Sequence, residues 1–191
     1  MLQTLTDLVK QGWIGRLDVV NLEARPEVAQ ALGVRSVPWT RIGPFELNGM
    51  HSREELLDWI ERVSSPDGMA DYFHALLKDG RLDQVLATVG RQPDAMAALL
   101  PIVANPEASI NVRIGAGVVF EELAGQPAML ALVDRFGELT GHEDARVRAD
   151  ACHYLSLTGS PEARPYLIRC QQDDDDVVRE IAAESLLALG E

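Results

Sequence analysis

A five-residue pattern, Val-Arg-x-x-Ala, occurs three times in the second half of this 191-residue chain. The copies are Val112-Arg113 with Ala116, Val147-Arg148 with Ala151, and Val178-Arg179 with Ala182, at intervals of 35 and 31 residues. Each runs on to a glycine, and each is preceded by acidic residues: Glu107, then Glu143 and Asp144, then Asp173 to Asp176. The spacing predicts a further helix between copies, beginning at Pro127 or Pro161. A period near 30 residues with two helices per unit defines a stacked solenoid, because one such unit cannot bury its apolar face alone. In the last copy Val178, Ile181, Ala182, Ser185, Leu186 and Leu189 share one helical face. The alanine is small where helices must approach closely. Arg113, Arg148 and Arg179 are placed to reach acidic groups at the start of a neighbouring helix and to bridge the stack.

The first 63 residues have a different grammar. "LQTLTDLVKQG" places Leu2, Leu5, Leu8 and Val9 on one helical face, with Gly12 just past its end. "RLDVVNL" predicts a short strand. "ARPEVAQALGV" predicts a helix with Pro26 in its first turn. "SVPWTRI" and "FELNG" predict two strands joined across Gly43-Pro44. "HSREELLDWIERV" predicts a helix with a capping box, Ser52 as N-cap and Glu55 three residues on. The order is an α/β layout. "SSPDG", residues 64–68, predicts a linker. Residues 69–191 predict helices alone, clearest as repeats over 106–191.

Charge and chemistry narrow the function classes. Residues 1–65 carry seven basic and nine acidic side chains; residues 66–191 carry ten and twenty-one. Such a field repels phosphate backbones and anionic membranes, so neither nucleic acid nor membrane is an expected partner, while an unidentified protein partner, a basic one included, is allowed. Two distant cysteines form no disulfide framework, which fits a reducing cytoplasm. Cys152 and His153 are adjacent on one helix and diverge by about 100°, which suits packing better than metal binding. Cys170 closes a helix ahead of a polar stretch. Asp173 to Asp176 lack the glycine and distal glutamate of a calcium loop and read as a helix N-terminus. His51, His74 and His142 have no motif partners. No catalytic, metal or cofactor set is expected.

The repeats resemble HEAT repeats in their short bacterial variety, related to the phycobilisome lyase repeats. "VVNLEARPEVAQALGVRSVPW", with "ELNGMHSREELLDWI", resembles thioredoxin-like proteins over residues 1–63. That resemblance implies a cis peptide at Pro38, and a recognition surface at Val37, Pro38 and Trp39 beside the place of a redox cysteine pair. Two departures stand out: the family's first strand and its CxxC are not in this chain, and Trp39 replaces a small polar residue.

The fold class expected is therefore a thioredoxin-like α/β part followed by an all-α HEAT-like solenoid. The function expected is a non-catalytic protein-interaction adaptor with a curved acidic face. The alternative is a thiol-disulfide oxidoreductase whose CxxC lies upstream of Met1, with the repeats selecting its client. A third reading, a maturation factor of the chromophore-lyase kind, follows only from the repeat subtype.

Overall fold

The computed structural model describes residues 1–190 and divides into two compact units, Met1–Met69 and the chain from Ala70 onward.

In the first unit, helix α1 (Leu2–Lys10) turns Leu5 and Leu8 inward, where they meet Leu56 of α3 (Arg53–Arg62). Met1, Ile14, Leu17, Ile42, Leu57 and Ile60 complete this small core. A short helix α2 (Pro26–Ala31) has its proline in the first turn, where a missing N–H costs nothing. Strands β1 (Trp39–Ile42) and β2 (Phe45–Asn48) pair antiparallel, Trp39 opposite Asn48 and Ile42 opposite Phe45. The two-residue turn between them needs a positive φ at its first position, which Gly43 supplies at 56°. The alternation of β2 buries Phe45 and Leu47, and Phe45 meets the Trp59 ring of α3 at 5.2 Å. The capping box of α3 is formed: Glu55 N–H donates to Ser52 Oγ at 3.2 Å, and Ser52 N–H donates to Glu55 Oε2 at 2.7 Å.

The strand expected over residues 16–22 is not formed. That segment is irregular, with Val19 and Val20 exposed, and the sheet among the described residues consists of β1 and β2 only. Branched residues favour a pleated surface only when a neighbouring strand supplies a ladder and a face to pack on. A two-stranded hairpin of this size is also too little sheet to establish a thioredoxin-like fold.

The second unit is helical throughout its described residues. It opens with α4 (Gly68–Lys78), whose first turn straddles the boundary, and α5 (Leu82–Arg91). Three helix pairs follow. The first pair is a 3-10 helix, Pro93–Leu99, leading into α6 (Leu100–Val103), then α7 (Ile110–Glu122). The second is α8 (Pro127–Leu130) and α9 (Val133–Leu139), then α10 (Ala145–Leu157). The third is a 3-10 turn, Pro161–Ala163, leading into α11 (Arg164–Cys170), then α12 (Asp176–Ala188). Each pair opens on a proline at its first turn: Pro93, Pro127 and Pro161.

The helices carrying Val-Arg-x-x-Ala are α7, α10 and α12, each of 13 residues. Their valines and alanines occupy the same helical positions, and all six are buried. On α12, Val178, Ala182 and Ser185 of the expected face are buried, and Ile181, Leu186 and Leu189 are half-buried. Phe120, Phe136 and Tyr154 form an aromatic cluster linking α7, α9 and α10, with centroids 4.8–5.5 Å apart. Ring pairs of this kind add about 0.5–1.5 kcal/mol beyond their area. Gly125, Gly159 and Gly190 end the three helices at positive φ, a conformation that costs glycine least.

Candidate interaction surface

The repeated arginines are built into the seams between helices. Arg148 is fixed by four hydrogen bonds. Its Nε and Nη2 donate to the two carboxylate oxygens of Asp173, at 2.8 and 2.7 Å, and its Nη1 donates to the carbonyls of His142 and Glu143, at 2.9 and 3.1 Å. One side chain thus ties the loop before α10 to the loop before α12. The two side chains are only 16% and 12% exposed, so the pair is largely desolvated. Arg179 repeats half of this arrangement: its Nη1 donates to the carbonyls of Asp173 and Asp174, at 2.7 and 3.0 Å, again six and five residues back along the chain. Arg113 differs. Its Nη2 donates to Asp150 on α10 at 2.5 Å, and its buried Nε has no protein partner. The Arg148 guanidinium lowers the Asp173 carboxyl from its ordinary value.

The acidic run ahead of α12 is consumed by local structure. Asp173 accepts the Arg148 fork, and Asp175 caps the helix by accepting from the N–H groups of Val177 and Val178. In the same way Asp144 caps α10 through the Arg146 N–H, and the Arg146 guanidinium holds its carboxyl well below the usual carboxylate range. No cluster of three or more potential metal ligands occurs among the described residues. His153 lies 3.4 Å from Glu121 of α7, His51 Nδ1 lies 3.8 Å from Glu55, and His142 Nδ1 accepts from the Asp144 N–H at 3.0 Å.

In the first unit the Val37–Pro38 peptide is cis. Val37 is 70% exposed, while Pro38 and Trp39 are half-buried. The Arg41 guanidinium lies 6.0 Å from the Trp39 ring centroid.

A second regularity appears when α7, α10 and α12 are compared position by position. Neighbouring faces are offered by residues 2, 5, 9 and 12 of each helix: Asn111, Ile114, Val118 and Glu121; Arg146, Ala149, His153 and Ser156; Val177, Glu180, Glu184 and Leu187. Apart from buried Ala149, all are exposed or half-buried. α10 packs against both α7 and α12, and on these faces His153 of α10 reaches Glu121 of α7. Together they present apolar Ile114, Val177 and Leu187 among Glu121, Glu180 and Glu184.

Two further arrangements were not visible in the sequence. Cys152 of α10 and Cys170 of α11 are both buried, and their thiols interact where the two helices pack. Tyr166 of α11 lies so close to Gly137 of α9 that a Cβ at that glycine would fall 2.3 Å from the ring. Neither has a motif, because each joins residues on separate helices.

A stack of helix pairs tied by positions that recur within one chain defines an α-helical repeat protein. Residues 96–187 match the model of the HEAT repeats family; this match supports the HEAT-like reading of the repeat part and begins some ten residues earlier than the clearest pattern suggests. The match covers the three helix pairs from the first 3-10 helix onward and does not reach the first unit. No curated protein and no solved structure matches the chain. No helix of the described residues is long and apolar enough to cross a membrane.

Proposed function

We propose that the repeat unit is a protein-interaction module whose binding surface is the joined outer face of α7, α10 and α12. The observation that carries this reading is the recurrence of exposed residues at the same helical positions in three adjoining helices, apolar side chains set among carboxylates. HEAT repeats commonly serve protein interaction. The excess of eleven negative charges over residues 66–191 favours a basic partner. A partner segment with lysine or arginine flanking a few apolar side chains complements it: apolar contacts bury against Ile114, Val177 and Leu187, and the cations meet Glu121, Glu180 and Glu184. Side-chain burial supplies affinity, and the charges supply orientation and rate.

The first unit is read as a thioredoxin-like element offering a second recognition surface at Val37, Pro38 and Trp39. The order helix, helix, hairpin, helix and the exposed Val37 support that reading. On it, the first unit of this chain has no redox nucleophile, because both cysteines belong to the repeats. The alternative, an oxidoreductase completed by an upstream CxxC, requires cysteines outside this sequence.

A photo-crosslinking residue placed at Ile114, His153 or Leu187 tests the surface. All three positions should capture the same protein, and Glu180→Lys with Glu184→Lys should abolish capture at each. Capture of unrelated proteins from the three positions, or capture indifferent to the charge reversal, would overturn it.

A further inference from the structure

The only two cysteines of the chain, 18 residues apart in sequence, converge at one point of the repeat stack. Both are buried, Cys152 at 0% and Cys170 at 4%. The two thiols interact across the packed contact between α10 and α11, and Thr140 lines the same cleft as Cys170. The two are not equivalent. Cys152 is sealed among core side chains, whereas Cys170 lines an open cleft of about 490 Å³ walled by Glu138, Thr140, Tyr166, Arg169 and Asp173. One thiol faces a route from solvent, and the other stands behind it.

We propose that Cys170 is a modification site for small peroxides, with Cys152 as the residue that resolves the product into an intramolecular disulfide between α10 and α11. The Cys170 sulfur attacks one oxygen of hydrogen peroxide. The O–O bond breaks, the sulfur is oxidised to a sulfenic acid, and the departing hydroxide takes up the thiol's proton as water. The Cys152 sulfur then attacks the Cys170 sulfur. The S–S bond forms, the S–O bond breaks, and a second water leaves with the Cys152 proton. Two thiols and one peroxide give one disulfide and two waters. The asymmetry of the pair sets the order of events. Interaction with the Cys152 thiol, and with Thr140, lowers the Cys170 thiol to about 7, against burial and the nearby Asp173 carboxylate, while the same thiol contact and burial push Cys152 up. The thiolate is the reacting form of cysteine, and a facing second thiol is what converts a sulfenic acid into a disulfide.

The test is intact-mass spectrometry of the full chain after stoichiometric hydrogen peroxide and then alkylation with N-ethylmaleimide. The wild-type chain should lose the mass of two hydrogens, take up no maleimide and remain monomeric without reductant. Cys152→Ala should instead gain the mass of one oxygen and be trapped by dimedone, and Cys170→Ser should keep Cys152 as a free thiol. Wild-type chains that stay reduced under conditions that oxidise free cysteine would overturn the proposal. So would a disulfide that forms between chains, or equal dimedone trapping in the wild type and Cys152→Ala. The wild-type measurement alone decides the first two, whatever the substitutions do to folding.

Discussion

Arg148 shows what one repeated side chain does when its neighbours are in place. A surface ion pair contributes about 0–1 kcal/mol and vanishes into screening. The Arg148 fork is different, because removing it leaves two loop carbonyls without their donor and the Asp173 carboxylate with only the Asp175 N–H. Arg148→Ala should therefore destabilise by about 2–4 kcal/mol. Arg179→Ala, which frees two carbonyls, should cost about half as much, and Arg135→Ala, whose ion pair with Glu138 is exposed on both sides, almost nothing. Urea midpoints of the three variants measure the order, and equal midpoints for Arg148→Ala and Arg135→Ala would mean that the arginine is solvated. Lysine cannot reproduce a bidentate fork. Arg148→Lys should thus lose most of what Arg148→Ala loses, whereas Arg113→Lys should be milder, since Arg113 Nε already lacks a protein partner. The same pair carries a pH dependence. The Asp173 carboxyl is depressed in the folded chain, chiefly by Arg148. Its contribution is complete above the unfolded value near 4 and is lost as pH falls through the lower folded value. Acid titration should show a loss of stability below about pH 4 that is present in the wild type and absent in Asp173→Asn. An unchanged acid profile in that variant would show that other carboxylates dominate.

At the scale of elements, packing rather than propensity decides how close two helices come. Gly137 lets α9 approach the Tyr166 ring of α11, whose hydroxyl donates to Asp134 at 2.9 Å. Gly137→Ala must displace that ring, at about 1–3 kcal/mol, although alanine is the better helix former. Removing the ring should relieve the clash, so Gly137→Ala in a Tyr166→Ala background should be neutral or stabilising in thermal unfolding. Additive losses in the double variant would place the strain elsewhere. These elements also show what sequence can and cannot tell. Val-Arg-x-x-Ala located α7, α10 and α12, since burial of a valine and an alanine on one helical face repeats at every unit. The prolines at 93, 127 and 161, equally spaced, mark the other helix of each pair and would have extended the repeats to the stretch where the arginine motif is missing. Residues 16–22 misled because a strand is a property of a pair, and Val19 and Val20 have no ladder to join. The thiol pair was illegible for a related reason: it arises where α11 folds back on α10, a juxtaposition that no local spacing encodes.

For the molecule as a whole, the dominant fact is charge. The side chains over residues 66–191 sum to eleven net negative charges. Some of the ion pairs within that stretch are exposed, as are Arg135–Glu138 and the Arg146 side of Arg146–Asp144. Like charges that remain unpaired repel in the compact state more than in the unfolded chain, where they are farther apart. Salt shortens the reach of this repulsion, from about 30 Å at 0.01 M to about 3 Å at 1 M, while the desolvated Arg148–Asp173 pair is screened far less. Sodium chloride should therefore raise the melting temperature at neutral pH, by a few degrees over that range. The proposed recognition of a basic partner rests on the same field and must respond in the opposite sense, because steering and charge pairing weaken as salt rises. One titration, read by calorimetry for stability and by fluorescence anisotropy for a captured partner's binding segment, separates the two. Stability that rises while affinity falls is the expected pair of slopes. A melting temperature that falls with salt would mean that surface ion pairs outweigh the net repulsion. An affinity that does not change with salt would mean that Ile114, Val177 and Leu187 bind without help from Glu121, Glu180 and Glu184.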